Sequence, residues 1–279
     1  MLNPFSEKKR IVIKIGSHSL VHPRTGRVDY IKMERLAMEI SDLKNRGLDV
    51  CLVSSGAMAV GRQILGVQHK SKHQPENQMH ASIGQARLMS IYQKFFTEYN
   101  EICGQVLMTK ETMRDNVSRK NAQNAFEELF QADAIPVVNN NDTVSTYEIQ
   151  FGDNDTLSAI VTSLIRADLL IILTDIDGLY SADPREDESA HLIRHVEKVD
   201  EDLMKMASDR PGSAEGTGGM ATKLRAAKIA TASGADMVIA NGADVTILHR
   251  IFENDYIGTF FKGHYDEDFD LLSVVEEGY

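Results

Sequence analysis

The chain has 279 residues, 42% of them hydrophobic, and a formal net charge of −11 at pH 7. That length suits one large α/β domain or two small ones, and that charge argues against a general nucleic-acid binder, which presents a basic face. Its two cysteines, Cys51 and Cys103, make no disulfide framework and read as buried free thiols of a reducing compartment. No apolar run approaches a membrane span, and residues 1–10 lack the apolar core of a signal peptide, so a cytoplasmic protein with no membrane partner is expected.

In chain order, Arg10-Ile11-Val12-Ile13-Lys14-Ile15 predicts a buried first strand. A lysine there either snorkels out at the strand end or points into a site. Ligands of open α/β sheets gather at the carboxyl ends of strands, which favours the site. Residues 31–46 carry Ile31, Leu36, Ala37, Ile40 and Leu43 at helical spacing, with Gly47 as the stop. Asp49-Val50-Cys51-Leu52-Val53 reads as a second strand running into Ser54-Ser55-Gly56. Ser54 or Ser55 either caps the next helix or joins Gly56 in holding a carboxylate or phosphate.

Residues 68–78 read as a solvated loop, and His69, His73 and His80 as ordinary histidines too loosely spaced for a metal. Residues 76–99 predict a long helix whose Ala81, Gly84 and Ala86 suit close helix packing. A strand is expected over 102–108, a helix over 122–130 and a short strand at Ile135-Pro136-Val137-Val138. The last opens into Asn139-Asn140-Asn141-Asp142-Thr143, either a turn or a hydrogen-bonding wall for a polar ligand. In Gly152-Asp153-Asn154-Asp155-Thr156, Asp155 or Asn154 is expected to cap a helix over 156–166. Acceptors at that helix start can be spared for a ligand or a metal.

Leu169-Leu170-Ile171-Ile172-Leu173 is the clearest buried strand and ends at the polar pair Thr174-Asp175. Turns follow over 175–180 and at Asp183-Pro184-Arg185, and His191 and His195 read as solvated. Gly216-Thr217-Gly218-Gly219-Met220-Ala221-Thr222-Lys223 then precedes a helical stretch to Ala232. The glycines free the backbone so that successive N–H groups can face one point as an anion nest. A helix starting near Met220 adds its positive end, and Lys223 sits about one turn in, within reach of a phosphate. The run is not a Walker A motif, because Thr222 precedes Lys223. Nor does it follow a strand directly, as a dinucleotide fingerprint should. A last strand is expected over 236–240, and an acidic, mobile tail from residue 264 to 279. Alternating strands and helices argue for a mainly parallel sheet with helices on both faces, in one domain.

Taken together, these blocks resemble the amino acid kinase family. The resemblance rests on Lys14-Ile15-Gly16-Ser17, Ser54-Ser55-Gly56-Ala57, Ala81-Ser82-Ile83-Gly84-Gln85, Asn141-Asp142, the 152–159 run, Thr174 to Tyr180 with Asp183-Pro184-Arg185, and Gly216 to Lys223. They stand in the family's order over residues 11–263. The resemblance implies a three-layer α-β-α sandwich, a kinase domain over 1–263 with the acidic tail beyond it. It implies ATP-dependent phosphorylation of the side-chain carboxylate of L-glutamate, a step toward proline. L-Glutamate would lie over the N-terminal half and ATP over the C-terminal half.

Carried over by position, Lys14 and Lys223 resemble the pair that neutralises the transferring phosphoryl group, with Asp155 orienting both. Ser55, Gly56, Asp142 and Asn154 resemble the substrate ligands. Lys14, Thr174, Asp175, Thr217, Gly218, Gly219, Met220, Ala221, Thr222 and Lys223 resemble the ATP contacts. Mg²⁺ is expected on the ATP phosphates with no direct protein ligand. Proline as feedback inhibitor and a homo-oligomer, dimer or tetramer, are further expectations of the resemblance. Asn140 stands where many relatives carry Glu, and His18 where a small residue is common. The alternatives are a family member acting on another acid, such as acetylglutamate, aspartate or carbamate, and a non-catalytic nucleotide or amino-acid sensor on the same fold.

Overall fold

A computed structural model describes residues 3–22, 24–67, 69, 71–144, 153–182, 184, 187–208 and 219–277. Its elements begin with β1 (Arg10–Ile15), α1 (Ser17–Leu20), α2 (Tyr30–Asn45), β2 (Asp49–Ser54), α3 (Ala57–Leu65) and α4 (Gln74–Glu98). Next come β3 (Ile102–Met108), α5 (Lys110–Arg114), α6 (Asn116–Gln131), β4 (Ala134–Asn140), α7 (Asn154–Leu164) and β5 (Leu169–Thr174). The rest are β6 (His195–Val196), α8 (Glu201–Ser208), α9 (Met220–Ala232), β7 (Asp236–Asn241), α10 (Ile247–Phe252), β8 (Gly258–Phe261) and α11 (Leu271–Glu277).

The strands form one eight-stranded sheet in the order β3-β4-β2-β1-β5-β7-β8-β6. All pairs are parallel except β7 with β8. Parallel strands covered on both faces read as continuous apolar runs, as β1, β2 and β5 do. Alternate side chains enter opposite layers. Ile11, Ile13 and Ile15 pack with Leu36, Ile40, Leu88 and Tyr92 from α2 and α4. Val12 packs with Leu157 and Ile160 of α7 and Leu224 and Ala227 of α9. Lys14 shares the parity of Val12, and its neighbours in register, Val53 and Ile172, belong to the same layer. The strand therefore delivers this lysine to the α7–α9 side.

Three expectations need correction. The cap of α7 is Asp153, not Asn154 or Asp155. His80 is not solvated: it is 2% exposed, within α4 and against α3. The segment after 264, expected as an acidic, mobile tail, carries the helix α11, whose Val274 and Val275 are buried in the α7–α9 layer. Its acidic residues had hidden that short apolar face.

The small residues of α4 permit the close packing expected of them. A Cβ on Gly84 would lie 1.7 Å from the Ala57 carbonyl oxygen of α3. Gly66, by contrast, ends α3 at φ +69° with nothing within 4 Å of where its Cβ would be. Gly66→Ala is expected to cost about 1 kcal/mol, from backbone strain alone. Gly84→Ala must push two helices apart and should cost about 3 kcal/mol or more. Denaturant midpoints of the two variants test this ordering.

Candidate active site

At the start of α7, Asp153 accepts from the Thr156 backbone N–H at 2.8 Å and from its hydroxyl at 3.0 Å. With the cap supplied there, Asp155 is free to turn inward, and it is 1% exposed. Lys14 Nζ lies 2.6 Å from Asp155 Oδ1, and Lys223 Nζ lies 3.1 Å from Oδ2. The Lys14 contact is a close ion pair with Oδ1. The Lys223 contact is a donated hydrogen bond. The Thr222 hydroxyl, 3.1 Å from Asp155 Oδ2 and 2.8 Å from the Gly219 carbonyl, holds the first turn of α9 against the same carboxylate.

Burial by itself would raise the Asp155 pKa, but the two ammonium groups outweigh it and bring the carboxyl down to about 2. Asp153 moves the other way: burial first, then the Asp155 charge, raises its pKa. Two ammonium groups thus converge on one buried carboxylate, with the Asp153 carboxyl close enough to feel both the Asp155 and the Lys14 charge.

Beside this triad, the carboxyl ends of β2 and β4 meet the start of α7 through side-chain amides. Asn154 Nδ2 donates to Ser55 Oγ at 2.7 Å and to Asn139 Oδ1 at 3.1 Å. Asn140 Nδ2 donates to Asn154 Oδ1 at 2.7 Å. Asn139 Nδ2 donates to Gln85 Oε1 at 2.9 Å, and Gln85 Nε2 to Gln105 Oε1 at 3.2 Å. Ser55 is thus no helix cap; Gly56 takes that position at φ +105°, a left-handed conformation that favours glycine. Ser54 donates to the Ser55 carbonyl at 3.0 Å and meets the buried Tyr92 hydroxyl at 2.7 Å, which steadies the turn. Asp142 lies half-buried in the turn leaving β4.

On the other flank, Thr174 ends β5 and donates to Asp175 Oδ1 at 3.1 Å. The Gly242 N–H donates to the Thr174 carbonyl at 2.7 Å. Asn241 Nδ2 donates to Asp177 Oδ1 at 2.8 Å, tying β7 to the turn after β5. Gly219 is the N-cap of α9 and makes no side-chain cap bond, and Met220, Ala221 and Thr222 form the half-buried first turn. Thr217 and Gly218 lie outside the described residues, as do Gly216, Asp183 and Arg185. Among the described residues no cluster of three or more His, Cys, Asp or Glu could hold a metal ion, and no helix is long and apolar enough to cross a membrane.

The structure therefore brings Lys14, Asp155, Thr222 and Lys223 together, and Ser55 with Asn154. Asn139 stands in the amide run read as a turn or a hydrogen-bonding wall, and Gln85 closes one of the blocks that carry the resemblance, without a role assigned to it. Sequence reasoning missed the buried Tyr92 and Asn241 as supports of this site. Neither carried a signal, because each meets its partner from a distant part of the chain.

The family model of the amino acid kinase family matches residues 9–241. The chain belongs to that family. Among curated relatives of this amino acid kinase, the glutamate 5-kinase of Carboxydothermus hydrogenoformans is 49% identical over 253 residues, 91% of this chain and 68% of the relative. That of Clostridium tetani is 47% identical over 91% of this chain and 94% of the relative. That of Enterococcus faecalis is 42% identical over 96% of this chain and 100% of the relative. In fold it is similar to the carbamate kinase from Giardia lamblia bound to AMP-PNP, with a TM-score of 0.66 at 16% identity, covering 92% of this chain and 99% of that one. The UMP kinase from Ureaplasma parvum gives a TM-score of 0.63 at 14% identity, with 91% and 99% covered. The sheet is the mainly parallel, three-layer α-β-α sandwich expected from the sequence.

The Asp155 carboxyl falls from an ordinary 3.8 to about 2 in the folded state. A depressed carboxyl contributes stability that is complete above about pH 4 and lost as pH falls through about 2. Asp155→Asn leaves two buried lysines facing a neutral amide and should cost about 3 kcal/mol at pH 7. The stability gap between this variant and the parent should narrow between pH 4 and 2, as followed by denaturant unfolding across that range.

Proposed function

We propose that this amino acid kinase transfers the γ-phosphoryl group of ATP to the side-chain carboxylate of L-glutamate, giving L-glutamyl 5-phosphate for proline synthesis. The observation that carries this reading is the buried pair of ammonium groups on one aspartate beside a cluster of hydrogen-bonded side-chain amides. The curated glutamate 5-kinases, similar over nine-tenths of the chain, support it.

A glutamate side-chain carboxylate, with pKa ~4.3, is already ionised at neutral pH and needs no general base. The barrier is repulsion between an anionic nucleophile and an anionic γ-phosphate. Positioning and positive charge are then what the protein must supply. In this reading Lys14 and Lys223 face the transferring group, and Asp155 keeps both amines in place. Ser55, Gly56, Asp142 and Asn154 hold L-glutamate. Thr174, Asp175 and the run Thr217, Gly218, Gly219, Met220, Ala221, Thr222 and Lys223 hold ATP. Mg²⁺ would enter on the ATP phosphates and supply further positive charge there, which fits the lack of a cluster of metal-ligating side chains among the described residues. Residues 1–263 act as one kinase domain, with the glutamate site in the N-terminal half and the ATP site in the C-terminal half. Proline inhibition, assembly as a dimer or tetramer and a cytoplasmic setting complete the proposal.

Purified protein should release ADP with L-glutamate and form a hydroxamate when hydroxylamine traps the acyl phosphate. ADP release only with N-acetylglutamate, aspartate, carbamate or a nucleoside monophosphate would replace this substrate with that one. Lys223→Ala should lower kcat by roughly a hundredfold or more, with a smaller change in the glutamate KM, because its charge matters most in the transition state. A tenfold rise in that KM at unchanged kcat contradicts the assigned role. Asp142→Ala should raise the glutamate KM roughly tenfold at nearly constant ATP KM, for loss of a hydrogen bond to a charged group; an unaltered glutamate KM removes Asp142 from the substrate shell.

A further inference from the structure

The amide cluster has a fixed sense, and one backbone group sets it. The Asn140 N–H, which can only donate, lies 2.9 Å from Asn139 Oδ1. That end of the Asn139 amide is therefore oxygen. Asn154 meets the same oxygen at 3.1 Å and so must present nitrogen to it. The opposite end of the Asn154 amide is then oxygen, and the group that Asn140 turns toward it at 2.7 Å must be nitrogen. Flipping any one amide would set like against like somewhere in the chain of contacts.

Two consequences follow for the acceptors of this cluster. Both N–H bonds of Asn154 are engaged, to Ser55 and Asn139, so this side chain can offer a ligand only the second lone pair of Oδ1. Asn140 Oδ1 is buried, yet it has no hydrogen-bond partner among the described residues. A buried carbonyl oxygen left without a donor costs about 1–3 kcal/mol, so the folded chain carries an acceptor whose natural complement is a ligand N–H group. The two oxygens belong to side chains already joined by one hydrogen bond; among the described residues Asn154 Oδ1 accepts that one bond and Asn140 Oδ1 accepts none.

We infer that Asn140 is a specificity-determining residue, whose Oδ1, together with the second lone pair of Asn154 Oδ1, receives the α-ammonium group of the substrate. An ammonium group brings three donors and can satisfy both oxygens at once. An N-acylated amino acid brings a single N–H and a bulky carbonyl, and so can meet only one of the two oxygens. The arrangement selects acidic amino acids with a free α-amino group. This inference rests on the reading of the site as an L-glutamate phosphorylating centre, and it adds a ligand that the motif blocks did not supply.

Two variants separate a contact with substrate from a purely internal role. Asn140→Leu removes both the free acceptor and the donor to Asn154. Asn140→Asp keeps an oxygen acceptor and removes that donor. The inference expects Asn140→Leu to raise the glutamate KM by roughly tenfold or more, the scale of one lost charge-assisted hydrogen bond. The ATP KM and the thermal midpoint should change little. It expects Asn140→Asp to hold a glutamate KM at least about fivefold below that of Asn140→Leu, since a carboxylate attracts an ammonium group at least as well as an amide oxygen does. Asn140→Ala replaces Asn140→Leu in the comparison if the latter does not fold. An equal rise in both variants assigns Asn140 only the task of holding Asn154 and overturns the inference, as does a KM unchanged in both. Absence of glutamate-dependent hydroxamate from the parent protein fails the kinase reading and the inference together, whereas an active parent with the wrong variant pattern fails the inference alone.

Discussion

One buried carboxylate governs the architecture of this site. Asp155 is almost wholly removed from water, and such a group is tolerated only when paired. Its partners, Lys14 and Lys223, come from opposite ends of the sequence, on β1 and α9. The pairing therefore does two things. It compensates burial of the charges, and it pins the strand, α7 and α9 to one another at the carboxyl edge of the sheet. Breaking either contact loosens the fold and misplaces an amine in the same event.

The sheet order makes that convergence possible. β1 is flanked by β2 on one side and β5 on the other, so the chain leaves it in one direction and later returns on the opposite side. A parallel sheet opens a crevice where the order reverses in this way. Lys14 points toward the α7–α9 layer because strand side chains alternate, and Ile13 and Ile15 fill the other layer. A shift of one residue in β1 would bury the ammonium group among α2 and α4 and bring an isoleucine to Asp155.

The two flanks of the triad differ in chemical character. Toward β2 and β4 the flank is amide-rich, with the amide directions set by neighbours and Asp142 in the turn after β4. Toward β5 and α9 it consists of a polar strand end and a helix start with no side-chain cap. Oriented amides with a carboxylate suit recognition of a small zwitterion, and a helix start suits phosphate oxygens. The amine pair stands between them, where an acyl acceptor and a phosphoryl donor would meet.

Much of this was already legible in the chain. The apolar runs specified β1, β2, β5 and β7, because strands covered on both faces must be apolar throughout. The spacing of the ordered blocks marked Lys14, Asp155 and Lys223, since each sits beside a glycine or a polar cluster at an element's end. Other features were decided by tertiary structure alone. Asp153 rather than Asp155 caps α7, a choice between near-identical side chains that depends on which one has two lysines waiting for it. Tyr92 and Asn241 support the site only because packing brings distant residues within hydrogen-bond reach, a short-range interaction that leaves no local pattern. Val274 and Val275 are buried for the same reason: their apolar face became meaningful only once a surface existed to receive it.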